Sequence, residues 1–164
     1  MKILISACLL GGPVRYDGSD SFLTHSLIKK WQQENRLVSI CPEVAGGLAV
    51  PRTPAEVQAG DGFSVLLGES KVIDKQKVDV TKAFVNGANE ALVLARKNNC
   101  IAAILTERSP SCGSLQIYDG SFTSTKKTGV GVTTALLEQH NIKVFNQFQL
   151  EKLEVYLQDQ QSRP

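Results

Sequence analysis

The sequence predicts an α/β fold, a mostly parallel sheet with helices on both faces and one or two β-hairpin insertions. Three observations carry that prediction. Short apolar, largely β-branched runs recur at residues 2–7, 37–40, 101–105 and 142–145, and their continuity suits strands buried on both faces. Segments with apolar residues three and four apart alternate with them, which is the spacing of amphipathic helices. Glycine, proline or serine clusters punctuate the junctions, as strand-to-helix crossovers require.

In chain order, 2–7 (KILISA) reads as a buried strand closed by Gly11, Gly12 and Pro13, and 37–40 (LVSI) as a second one closed by Cys41 and Pro42. Between them, 24–35 (THSLIKKWQQEN) places Leu27, Ile28 and Trp31 on one helical face, with Thr24 as the expected N-cap. Residues 43–62 hold two of the six prolines and four of the thirteen glycines, so an ordered irregular loop is expected there. Residues 63–67 and 71–78 are expected to pair as a hairpin around Gly68-Glu69-Ser70. Asp79 or Thr81 then caps a helix whose stripe is Val80, Phe84, Ala88, Ala91, Leu92 and Ala95.

Residues 101–105 (IAAIL) form the next buried strand, and 116–125 resembles a second hairpin around Asp119-Gly120. A helix is expected over 132–139, a strand over 142–145, and a last helix over 148–159 with Leu150, Leu153 and Leu157 inward. This succession is Rossmann-like. Residues 1–164 are expected to form one domain, with its core at 1–158 and a frayed tail at 159–164.

Composition bounds the function. Eighteen Lys plus Arg against sixteen Asp plus Glu leave a net charge of +2, and the charges are scattered, so there is no strong nucleic-acid signal. No apolar run approaches the ~20 residues of a membrane helix, so no membrane partner is expected. The first apolar run follows only Lys2 and breaks at Gly11, which predicts an unprocessed, cytoplasmic protein. The four cysteines, Cys8, Cys41, Cys100 and Cys112, contain no CxxC pair; this disfavours a disulfide scaffold, a zinc ribbon and a thioredoxin-type pair.

In an open parallel sheet, ligands bind beyond the carboxyl ends of the strands. Cys8 follows the first strand, Cys41 the second, and Cys112 lies in the turn after the third, so all three are expected on one edge. Three thiols converging from separate loops suit zinc, Cu(I) or an iron–sulfur centre. Cys100 precedes its strand and falls at the opposite edge. Glu43 and the hydroxyls of Ser109 and Ser111 are the neighbours able to move protons. Arg15, Arg52 and Arg108 stand near the cysteine loops, either to hold an anionic substrate or to pair with Asp17, Glu56 or Glu107.

Several blocks, taken in order, resemble the bacterial 2-thiouracil desulfurase family. They are Ser6-Ala7-Cys8-Leu9-Leu10-Gly11, Arg15-Tyr16-Asp17-Gly18, Cys41-Pro42-Glu43 with Gly46-Gly47-Leu48 and Pro51-Arg52, and Asp79-Val80-Thr81. Ser109-Pro110-Ser111-Cys112-Gly113 and Ile117-Tyr118-Asp119-Gly120 complete the match, which runs from Ser6 to about Val144. The resemblance implies a [4Fe–4S] cluster held by Cys8, Cys41 and Cys112, with one iron not bound by protein and free to take sulfur. It also implies non-redox desulfuration of a small thiolated base or nucleotide such as 2-thiouracil, giving uracil and sulfide. Glu43 is then the candidate base for the attacking water, with Ser109 and Ser111 candidates for positioning the substrate. Against this stands a non-catalytic module binding zinc or a labile cluster, for which Glu43 as a fourth ligand would argue. A nucleotide-binding reading is set aside because no GxGxxG or GxxxxGK[ST] follows the first strand.

Overall fold

The computed structural model describes residues 1–164. Its centre is a four-stranded parallel sheet of β1 (Lys2–Ser6), β2 (Leu37–Ile40), β5 (Cys100–Ile104) and β8 (Lys143–Phe145), in the order β2-β1-β5-β8. The alternation of strand side chains divides the core. Ile3 and Ile5 of β1 pack with Ala102, Ile104 and Phe145 under α1 (Ser26–Gln33) and α6 (Leu150–Gln161). Leu4, Ala103 and Val144 face the other way, under α4 (Thr81–Lys97) and α5 (Val132–Gln139). Helices therefore cover both faces, as the sequence predicts.

Two short antiparallel sheets are added to this frame. One pairs β3 (Ala55–Gln58) with β4 (Lys71–Asp74), and the other pairs β6 (Gln116–Tyr118) with β7 (Lys126–Thr128). The first corrects the expected partner of 71–78. Residues 63–66 lie in a short helix, α3 (Gly62–Leu66), capped by Leu67, because the Asp61 carboxylate accepts the Phe63 N–H while the Ser64 hydroxyl accepts the Asp61 N–H. β4 ends early because Asp74 Oδ1 accepts the N–H groups of Gln76 and Val78 and turns the chain.

Residues 43–62, expected as irregular loop, contain β3 and part of a helical turn, α2 (Pro42–Ala45), with Cys41 at its N-cap. Thr24 does not cap α1; His25 does, its Nδ1 accepting the Leu27 N–H at 3.1 Å. At the start of α4 the N-cap is Val80, which makes no side-chain cap; Asp79 Oδ1 accepts the Thr81 N–H from one residue further out, while Thr81 Oγ1 accepts the Val72 N–H and ties the helix to β4 instead of capping it. The final helix runs to Gln161, two residues beyond the expected end.

Two glycines set the position of α2. A Cβ on Gly46 would collide with the Ala83 carbonyl, and one on Gly87 with the Pro42 carbonyl. α2 and α4 thus meet backbone to backbone, and that approach fixes Cys41 and Glu43 relative to the sheet.

Candidate active site

The chain runs from β1 outward to β2, then returns to the other side of β1 for β5 and β8. Strand order reverses between β1 and β5, the place where an open α/β sheet leaves a crevice beyond its carboxyl ends. A cleft of about 540 Å³ opens there. Cys8, Cys41, Cys112, Glu43 and Ser109 all line it, although their loops are far apart in sequence. Ser6, Thr106, Arg15, Arg52 and Arg108 line it as well.

Each thiol arrives by a different local device. Cys8 lies in a single 3₁₀ turn, Ala7–Leu10, that ends on Gly11 in the left-handed region at φ +94°. Its Sγ is 2.9 Å from Thr106 Oγ1. Cys41 opens α2, and its S–H points to the Val14 carbonyl at 3.8 Å. Cys112 sits in a turn where Ser109 Oγ accepts the N–H groups of Ser111 and Cys112, and the Ser6 hydroxyl points to its sulfur at 3.9 Å.

The turn bearing Cys112 is anchored by a carboxylate. Glu107 Oε1 accepts the N–H groups of Arg108, Ser114, Leu115 and Gln116, while Oε2 accepts from the Ser114 hydroxyl and the Asn146 amide. Burial pushes the Glu107 carboxyl up, but these donors outweigh it and leave the group below its ordinary value. Sequence reading placed Glu107 only as an ion-pair partner for Arg108. The structure shows it organising backbone instead, a role that no residue pattern announces.

Arg52 pairs with Glu43 rather than Glu56, its Nε 3.2 Å from Oε1, and its other donors reach the carbonyls of Val14 and Ala49. Burial raises the Glu43 carboxyl above its usual range, against the charge of Arg52 and hydrogen bonds from Arg52 and Ser109. Burial also pushes up the thiols of Cys41 and Cys112, for Cys112 with added repulsion from Glu43, Cys8 and Cys41. Both shifts favour the protonated thiol, so binding a metal would release protons. Arg15 and Arg108 form no ion pair and stay free to meet a ligand.

Ser111 departs from expectation. It is 1% exposed, its hydroxyl meets Thr133 Oγ1 at 2.8 Å, and it does not line the cleft. Its backbone is bound into the N-terminus of α5, whose Thr133 N–H donates to the Ser111 carbonyl at 2.8 Å, and this turns the side chain inward. Cys100 lies at the first position of β5, buried in the core at the opposite edge and outside the cleft. His25 caps α1 and His140 bonds Arg96 at 2.8 Å, both away from the cleft.

The donor set fits a thiolate-bound centre: three cysteines and no histidine line the cleft, and thiolates select soft metals and iron–sulfur clusters. A cluster spreads its thiolate ligands over separate irons.

The model of the 2-thiouracil desulfurase family matches residues 3–149. This chain belongs to that family. A solved structure, that of the [4Fe–4S]-dependent thiouracil desulfidase TudS, superposes with a TM-score of 0.88 at 43% identity, covering 96% of this chain and 97% of that one. The uncharacterized protein YbbK of Bacillus subtilis (strain 168) is 42% identical over 151 residues, 92% of this chain and 99% of its own length. The family match spans all three cleft cysteines and Glu43. No helix is long and apolar enough to cross a membrane.

Proposed function

We propose that this chain is a [4Fe–4S]-dependent thiouracil desulfurase that exchanges the thiocarbonyl sulfur of a thiolated pyrimidine for the oxygen of water. With 2-thiouracil the products are uracil and hydrosulfide, with no net redox change. The observation that carries the reading is the meeting of Cys8, Cys41, Cys112 and Glu43 in one cleft at the sheet's switch point.

Cys8, Cys41 and Cys112 would hold the cluster. When bound, it supplies an iron without a protein ligand, a Lewis acid with affinity for sulfur. Glu43 takes a proton from the attacking water, and it is suited to this because Arg52 fixes its carboxylate from one side. Ser109 has its oxygen occupied by two N–H donors and lines the cleft with Glu43, so its hydroxyl proton is free to be donated there. Arg52 is itself pinned to two carbonyls, so the base keeps one orientation through the reaction. Ser111 supports the turn through Thr133. We place the reaction in the cytoplasm, on a free base or a nucleotide.

The test is anaerobic reconstitution with iron and sulfide, followed by addition of 2-thiouracil. About four irons per chain with uracil and sulfide released in equal amounts is the expected result. About four irons with no sulfide release from any thiolated pyrimidine contradicts the reaction.

A further inference from the structure

The block Tyr118-Asp119-Gly120 has no part in the chemistry above, yet the loop it opens returns to the same cleft. Phe122 in that loop lines the cleft and is only half-buried, and it belongs to neither hydrophobic core. Its φ is +58°, in the left-handed region that bulky side chains avoid. Such a conformation persists where the surroundings over-determine it, and it concentrates at ligand sites.

The determinant here is a buried carboxylate. Glu56 of β3 is 9% exposed, forms no ion pair, and uses Oε1 to accept the N–H groups of Gly120 at 2.9 Å and Phe122 at 3.2 Å. The Gln58 amide donates to the Gly120 carbonyl at 3.0 Å. A Cβ on Gly120, which has φ +95°, would sit 2.8 Å from the Val57 carbonyl, so only glycine permits this docking. The Asp119 N–H closes the loop on the Thr125 carbonyl at 2.9 Å. All this order presents one strained aromatic side chain to the cleft.

We propose that Phe122 is the face on which the substrate's pyrimidine ring stacks, and that Glu56 is the positioning residue holding it there. The inference rests on the reading that the substrate is a thiolated pyrimidine. A flat heteroaromatic ring gripped by its face keeps its edge, with the C=S group, free for the groups deeper in the cleft. Phenylalanine adds no donor or acceptor that would compete for that edge.

The test measures uracil binding to the cluster-loaded protein by equilibrium dialysis, alongside KM and kcat for 2-thiouracil. Base-on-aromatic stacking predicts that Phe122→Ala weakens uracil binding and raises KM by about tenfold, and by no less than about fivefold, with iron content and kcat changed far less. Phe122→Tyr is expected to restore binding, and Phe122→Leu, apolar but without a π face, to restore little. Glu56→Ala is expected to weaken binding in the wild-type background and to add nothing in the Phe122→Ala background.

A loss of uracil affinity in Phe122→Ala smaller than about fivefold overturns the stacking, as does full rescue by leucine. Independent, additive losses from Glu56→Ala and Phe122→Ala overturn the positioning role. A wild-type protein that binds uracil but releases no sulfide contradicts the proposed reaction instead, and the binding comparison still decides the role of Phe122.

Discussion

The two edges of the central sheet each bury cysteine, in opposite surroundings. At the amino edge, Cys100 is 6% exposed within an apolar core, and its thiol makes no hydrogen bond and is pushed up to about 11 by burial against a weak pull from Lys2. At the carboxyl edge, Cys8, Cys41 and Cys112 share one cleft, and each sulfur has a polar neighbour in Thr106, the Val14 carbonyl or Ser6. Burial therefore does not distinguish a site cysteine from a core cysteine, since Cys112 is as buried as Cys100. What distinguishes them is the end of the strand they follow. Parallel strands deliver all their outgoing loops to one edge, and the reversal of strand order opens a crevice there.

The contrast is broken most severely by removing the thiols of the carboxyl edge. Replacing Cys8, Cys41 or Cys112 by serine is expected to abolish sulfide release from 2-thiouracil, whereas Cys100→Ser retains it at near the wild-type rate. Glu43→Ala is expected to keep its iron and lose roughly 10²- to 10⁴-fold in kcat, the usual contribution of a positioned base. Turnover at the normal rate in that variant removes Glu43 from the mechanism.

Glu107 sharpens the comparison through stability. Glu107→Gln keeps one acceptor oxygen but loses the charge, and is expected to cost about 1–3 kcal/mol in chemical denaturation. The native Glu107 carboxyl lies below its ordinary value, so its stabilisation is complete above the unfolded value of about 4.3 and disappears as pH falls through the lower folded value. Wild type should therefore lose more stability than Glu107→Gln between about pH 5 and 3. Equal losses contradict the account of the turn. The amino edge is expected to affect stability alone. Cys100→Ser places a hydroxyl in an apolar pocket and is expected to cost about 1–3 kcal/mol of stability with no change in KM.

How much of this was legible in the sequence follows the range of the forces involved. The strands β1, β2, β5 and β8 and the helices α1, α4, α5 and α6 were readable because each carries its own burial pattern, such as Phe84, Ala88, Ala91 and Ala95 on α4. The segment 63–67 misled because its apolar run suits a strand, while its conformation was decided by Asp61 and Ser64, a capping pair three residues apart. β3 was hidden between Pro54 and Gly60, and its partner lies beyond α3. Topology placed Cys8, Cys41 and Cys112 on the edge where the cleft opens, and Glu43 came with them as the residue two after Cys41. Ser111 was misplaced because adjacency to Cys112 says nothing of which way a side chain in a turn points. The clamp of Glu56 on Phe122 joins residues 66 positions apart, and no local pattern reports it.

We assign assembly of the cofactor to the carboxyl-edge cysteines and not to Cys100. The most direct measurement is the iron content of the four single serine variants after anaerobic reconstitution. About four irons per chain are expected in wild type and Cys100→Ser, with loss of the cluster in Cys8→Ser, Cys41→Ser and Cys112→Ser. Iron retained in two or more of those three, or lost from Cys100→Ser, contradicts the assignment.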